Sequence, residues 1–249
     1  MYEDHQKERI EIIKQVLAAL NDNFVLKGGT ALSLFYGLNR YSEDIDLDAK
    51  SNNMNVAKLL KSNLKFKDYN ISIKKDTDTV FRAMLDYGGK SHLGNYPLKI
   101  EVSNRNKAFL QQGILTYTNI DGVNVYNISE LIDMKISAFN GRDKVRDLYD
   151  LNFLIDKYPE YFDFKQLWQI NERITYCGAD ELNILLTDEV KRHKLVSNDS
   201  IDLNNFTQNL ESKITNSLND KRKEMQKEFI KNFSINKNQT QKIETEREK

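Results

Sequence analysis

The chain predicts an α+β fold, a mixed sheet flanked by helices in its first half and a helical domain after it. Three observations carry this. Short apolar runs with two-residue alternation crowd the stretch 24–102; the apolar period changes to three and four residues from Ile128 onward; and every segment beyond Pro159 reads as helical or irregular. The boundary falls near 125–128, dividing the chain into 1–127, 128–235 and a tail at 236–249.

Taken in order, Ile10, Ile13, Val16, Leu17 and Leu20 predict a first amphipathic helix that ends near Asn21-Asp22-Asn23 and covers a sheet. Phe24-Val25-Leu26 is a brief strand stopped by Gly28-Gly29, after which Thr30 opens a second helix through Leu32 and Phe35. Ile45-Asp46-Leu47 alternates apolar with acidic, as a half-buried strand does. A helix follows over 55–64, then strands over 69–73, 80–85 and 98–102. Ile128, Leu131, Ile132, Ile136 and Phe139 share a helix face, with Ser129 as its expected cap, and another helix covers 144–155. From Leu203, the residues Phe206, Leu210, Ile214 and Leu218, then Met225, Phe229 and Phe233, form a thin apolar seam on one long polar helix, which suits a docked surface helix or a short coiled coil. The tail at 236–249 has almost no apolar residue and is expected to be disordered.

Composition bounds the chemistry. The 249 residues carry 37 Lys+Arg and 37 Asp+Glu, a formal net charge of zero, which excludes a uniformly basic nucleic-acid coat. One cysteine and three histidines leave little for a thiolate or imidazole zinc site, so carboxylates must carry any metal chemistry. No apolar run reaches the ~20 residues of a membrane span, and the opening residues lack a secretion signal's layout, so a cytoplasmic protein without a membrane partner is expected.

The informative stretch is Lys27-Gly28-Gly29-Thr30-Ala31-Leu32 followed by Arg40-Tyr41-Ser42-Glu43-Asp44-Ile45-Asp46-Leu47. A diglycine between strand and helix is either a tight connection or a turn that lets a phosphate approach the helix N-terminus. Asp44 and Asp46, two apart on a strand, project from one face. They are either a solvated strand end or a cation site, since paired carboxylates repel unless compensated and Mg²⁺ favours carboxylates together with phosphate oxygens. Glu101, alternating within Leu98-Lys99-Ile100-Glu101-Val102, is an inert surface acid or a third member of the cluster. Lys135 lies beside the apolar stripe of its helix, where it snorkels past the core or reaches an anion. Asp150 lies four residues from Arg146, with which it pairs in the simplest structural account.

In this order the residues resemble the AbiEii/AbiGii toxins, minimal members of the nucleotidyltransferase superfamily. Lys135, and Arg146-Asp147-Leu-Tyr-Asp150-Leu after it, are similar to that family's downstream signature. The resemblance covers roughly 24–155 and implies an N-terminal nucleotidyltransferase fold. It implies that Gly28, Gly29 and the Thr30 hydroxyl hold a triphosphate, that Asp44, Asp46 and Glu101 bind Mg²⁺, and that Lys135 touches nucleotide phosphate. Asp150, preferred to Asp147, would sit in the catalytic pocket, orienting the lysine or activating the acceptor. Arg40 and Ser42 belong to the signature, Arg40 either binding phosphate or neutralising the acidic strand end.

The activity so implied is Mg²⁺-dependent transfer of a nucleoside monophosphate from an NTP to a tRNA 3′ end or a protein, as the toxin of a bacterial toxin–antitoxin or abortive-infection system with a cognate antitoxin. Lys74, Lys75, Lys191, Arg192, His193 and Lys194 are the candidate basic patches for an RNA acceptor. The alternatives are a catalytically silent nucleotide-binding or interaction module of the same fold, and a phosphohydrolase. The position of the three histidines outside the motifs disfavours the latter.

Overall fold

A computed structural model of the chain describes residues 2–92, 94–142, 144–196 and 203–247, with side chains through residue 230. The N-terminal half comprises α1 (Asp4–Ala18), β1 (Phe24–Lys27), α2 (Gly28–Phe35), β2 (Ile45–Ala49), α3 (Val56–Lys61), β3 (Asn70–Asp76), β4 (Val80–Asp86), the two-residue strands β5 (Lys90–Ser91) and β6 (Gly94–Asn95), β7 (Leu98–Ser103), α4 (Lys107–Gln111), β8 (Tyr117–Ile120) and β9 (Val123–Tyr126). Helices follow: α5 (Ile128–Gly141), α6 (Arg146–Lys157), α7 (Phe164–Cys177), α8 (Ala179–His193) and α9 (Phe206–Arg247).

Seven strands form one mixed sheet in the order β3-β4-β7-β2-β1-β9-β8. The central strand β2 runs antiparallel to β1 and parallel to β7. Ile45 and Leu47 of β2, with Ile100 and Val102 of β7, lie on the buried face at 0–1% exposure, so the alternate residues of both strands turn to the opposite face. Asp46 therefore stands beside its register partner Glu101 on one side and Lys27 on the other.

Several expectations shift. The second helix begins at Gly28 rather than Thr30, with Gly28 at φ +77°, a conformation glycine adopts without the Cβ penalty. The cap of α5 is Asn127, and Ser129 lies inside the helix. The β8–β9 hairpin is an addition, turned by Asp121 and Gly122, both at positive φ. In α9 the seam Phe206, Leu210, Ile214 and Leu218 is buried against α7 and α8, whereas Met225 is exposed. The helix continues to Arg247, through most of the stretch expected to be disordered, and the last two residues of that stretch lie outside the described residues.

Candidate functional site

Because β1 and β2 pair antiparallel with Lys27 opposite Asp46, the chain leaves β1 beside the acid pair. A Cβ built on Gly28 would come to 3.0 Å of Asp46 Oδ2. The turn and the acids therefore adjoin, and the N-terminus of α2, with its unpaired N–H groups and positive dipole end, opens next to them.

The acids differ in what already holds them. Asp44 Oδ2 lies 2.8 Å from Lys99 Nζ, and Lys99 is also within electrostatic reach of Asp46 and Glu101. Desolvation pushes the Asp44 carboxyl above its ordinary value, and Glu43 and Asp46 add to that against the pull of Lys99. Glu101 pairs with Arg82 of β4 at 2.7 Å. Asp48, fully buried one step further along β2, accepts from Lys27, Tyr126 and Asn106. Among the described residues, the Asp46 side chain makes no hydrogen bond or ion pair. An acid with open coordination, beside a glycine cradle that a Cβ would narrow, fits a divalent cation with phosphate attached.

Behind the turn lies a chain of charges. Arg40, 3% exposed, reaches Asp150 with Nε at 2.5 Å and Nη2 at 2.7 Å. Lys135 Nζ sits 2.6 Å from Asp150 and 2.9 Å from Asp147, and Asp147 also receives Nε and Nη2 of Arg142. Burial pushes the Asp150 carboxyl up, but Arg40 and then Lys135 outweigh it and hold it down at about 2. Asp147 is likewise held low by Lys135 and Arg142 against its burial.

This network changes the roles read from sequence. Arg40 neither faces open solvent nor neutralises the acidic strand end, because Asp150 takes its guanidinium. Lys135 does not snorkel: its ammonium is buried and spent on two carboxylates. Asp150 has both oxygens engaged and does not pair with Arg146, which bonds Glu43 and Glu189 instead. Thr30 is 2% exposed and its hydroxyl donates to the Asp44 carbonyl oxygen, with Ser42 Oγ 2.9 Å away, so the threonine ties the acid loop to α2 rather than offering a donor outward. Gly29 abuts the same frame, since a Cβ there would lie 2.6 Å from Arg40 Nη2.

Sequence reasoning passed over four residues around this centre. Lys99 and Arg82 are the cations on the acids. Arg9, 2% exposed on α1, donates to the carbonyls of Glu43, Tyr96 and Pro97, which anchors the loop before Asp44 and the approach to β7. Lys144 is exposed and makes no ion pair among the described residues. Partial desolvation, then repulsion from Arg146, Arg142 and Lys99, pushes its ammonium below the ordinary lysine value, with Asp44 pulling the other way. Lys99 alternated visibly with Glu101 in sequence; the other three needed long-range pairing. Of the basic-patch candidates, Lys74 and Lys75 are exposed on edge strand β3, whereas Arg192 and Lys194 are paired with Asp188 and Glu3.

A carboxylate pair on a mixed sheet, set against a glycine turn at a helix N-terminus and backed by a helical domain, is the architecture of nucleotidyltransferases. The family model of the nucleotidyl transferase AbiEii toxin, of type IV toxin–antitoxin systems, matches residues 11–239, and the chain belongs to that family. Among solved structures it is similar to JHP933 from Helicobacter pylori, at 29% identity and TM-score 0.74 over 91% of this chain and 97% of that one. It is also similar to a candidate nucleotidyltransferase from H. pylori, at 29% identity and TM-score 0.73 over 89% and 98%. No curated protein matches. Among the described residues, no helix is long and apolar enough to cross a membrane.

Proposed function

We propose that the chain is an active nucleotidyltransferase that moves a nucleoside monophosphate from an NTP to a tRNA 3′ end or a protein, as the cytoplasmic toxin of a bacterial pair silenced by a cognate antitoxin. The observation that carries this reading is the adjacency of Asp44 and Asp46 to the Gly28–Gly29 turn. Asp44, Asp46 and Glu101 would hold Mg²⁺, which supplies charge stabilisation to the attacking and departing oxygens. The helix N-terminus at Gly28 and Gly29 receives the phosphates. An acceptor hydroxyl oxygen bonds to the α-phosphorus, the bond from that phosphorus to the bridging oxygen breaks, pyrophosphate departs with the electron pair, and the hydroxyl proton passes to the acid pair. Arg40, Lys135 and Asp150 act behind this as positioning residues: they fix the turn and α5 against α6.

The test is incubation with total RNA and cellular protein and each of the four α-³²P-labelled NTPs. Label should move to one class of acceptor with one NTP, and the Asp46→Asn variant should move none. If no NTP labels any acceptor, the enzymatic reading fails. A silent binding module is the second reading, favoured by one observation: Lys99 and Arg82 already compensate two of the three acids. Nucleotide binding without transfer would support it.

A further inference from the structure

Three metal-ligating side chains, dispersed in the sequence, meet outside the acid cluster. Glu3 precedes α1, His5 lies in its first turn, and His92 follows β5 in the turn of the β5–β6 hairpin. One ligand atom from each lies within 4.8 Å of the other two. Glu3 Oε2 stands 3.3 Å from His5 Nδ1. A tetrahedral ion with bonds of ~2.0–2.1 Å to oxygen and nitrogen requires an edge of about that length. The rings of His5 and His92 have centroids 6.1 Å apart, and His92, which is exposed, can close on the other two by rotation of its side chain.

The surroundings prepare these groups as ligands. His92 Nε2 lies 3.1 Å from the carbonyl oxygen of Arg192. A carbonyl only accepts, so the neutral ring carries its hydrogen on Nε2 and its lone pair on Nδ1, and a backbone carbonyl orients metal-binding histidines in this way. Lys194 Nζ holds Glu3 Oε1 at 2.5 Å, which fixes the carboxylate and leaves Oε2 toward His5. Tyr96 meets the His5 ring edge-on at 5.9 Å, while its hydroxyl donates to Glu43. Arg192 lies in the last turn of α8 and Lys194 caps it, so the group joins the start of α1 and a hairpin of the α/β half to the helical half.

The donor set selects the ion. Two imidazoles and one carboxylate suit Zn²⁺, whereas Mg²⁺ takes oxygen ligands and keeps its waters. Three protein ligands leave the fourth tetrahedral position to water. We propose that Glu3, His5 and His92 form a Zn²⁺ site, separate from Asp44, Asp46 and Glu101, that ties α1 and the β5–β6 hairpin to the end of α8. It stands independently of the transfer reading.

The test uses the untagged full chain, stripped with EDTA and then kept in excess Mg²⁺ so that the carboxylate cluster is satisfied. Imidazole nitrogen NMR follows the three histidines, assigned by histidine-to-glutamine substitution, through a Zn²⁺ titration, and calorimetry gives the affinity. Zn²⁺ should shift the ring nitrogens of His5 and His92 and leave those of His193 in place. His92→Gln should weaken binding at least about tenfold, the loss that removing even a supporting partner of a metal ligand brings, and Asp46→Asn should leave it unchanged. At about a hundredfold excess over Kd, Zn²⁺ should raise the folded-to-unfolded ratio of the wild type in urea about a hundredfold. No shift at His5 and His92, or a shift at His193 with them, overturns the ligand set. Equal affinity in His92→Gln overturns the site, as does loss of binding in Asp46→Asn, because the ion would then sit at the acid pair.

Discussion

Replacing Asp150 by asparagine keeps the side chain's shape and removes its charge from a position that is 0% exposed. Arg40 and Lys135 would then be buried with Asp147 as their remaining carboxylate. Holding the Asp150 carboxyl at about 2 against an ordinary 3.8 is worth about 2.5 kcal/mol at neutral pH. Breaking a buried ion pair from one side typically costs ~3–5 kcal/mol, so the expected loss lies between those figures. The sign with pH is fixed. The folded-state value lies below the unfolded one, so this stabilisation is complete above about pH 4 and is lost as pH falls through about 2. Urea unfolding of wild type and Asp150→Asn at pH 7, 4 and 3 reads it, and the gap between the two proteins should be widest at pH 7 and should narrow toward pH 3. A loss under about 1 kcal/mol at pH 7, or a gap that does not narrow in acid, refutes the assignment of Asp150 to the frame.

Three further outcomes follow from the same geometry. Asp46→Asn should abolish nucleotide transfer and toxicity while shifting unfolding by no more than about 0.5 kcal/mol, because its carboxylate has no partner among the described residues to lose; retained transfer would exclude it from the reaction. Gly29→Ala should destabilise by ~1–3 kcal/mol, since the new methyl displaces Arg40 from Asp150, and its penalty should add less than fully to that of Asp150→Asn in a double-mutant cycle. Lys99→Met should raise Mn²⁺ affinity of the nucleotide-free protein about fivefold, on the ~1 kcal/mol scale of a partly exposed ion pair, because the lysine competes for Asp44; unchanged affinity by EPR titration would mean that metal binds elsewhere.

What could be read in advance was whatever depends on local period. Strands β2, β3, β4 and β7 announce themselves by alternation and β1 by a short apolar run stopped at glycine, and the acid pair follows from two-residue spacing on β2. The β8–β9 hairpin escaped that reading: Asp121-Gly122 is a strong turn signal, but the polar Thr118-Asn119 centre masks the alternation on either side of it. The partners of the charges were not legible. Arg40 and Asp150 are 110 residues apart, and the nearer Arg146 offered a helical pairing at four residues that satisfies every local rule. It loses because Asp147 and Asp150 lie on the inward side of α6, where Arg40, Lys135 and Arg142 reach them, while Arg146 extends toward Glu43 and Glu189.

The distribution of partners separates framework from function. A buried charge left alone costs several kcal/mol, so the interior must close its own account, and it does: Arg40, Lys135, Asp147 and Asp150 satisfy one another, as Lys27 does Asp48. At the rim no such pressure acts, because water solvates what protein does not. Asp46 and Lys144, neither of them ion-paired among the described residues, nevertheless survive there within the same electrostatic neighbourhood as Asp44 and Lys99, without closing on each other. Opposite charges held apart in this way would offer a metal ion and a polyanion complementary ends of a single site. If Asp46→Asn weakens divalent-ion binding while Lys144→Met weakens tripolyphosphate binding and leaves the ion's affinity unchanged, the two charges divide the ligand as this arrangement requires. If both substitutions act on the same ligand alone, the division is wrong.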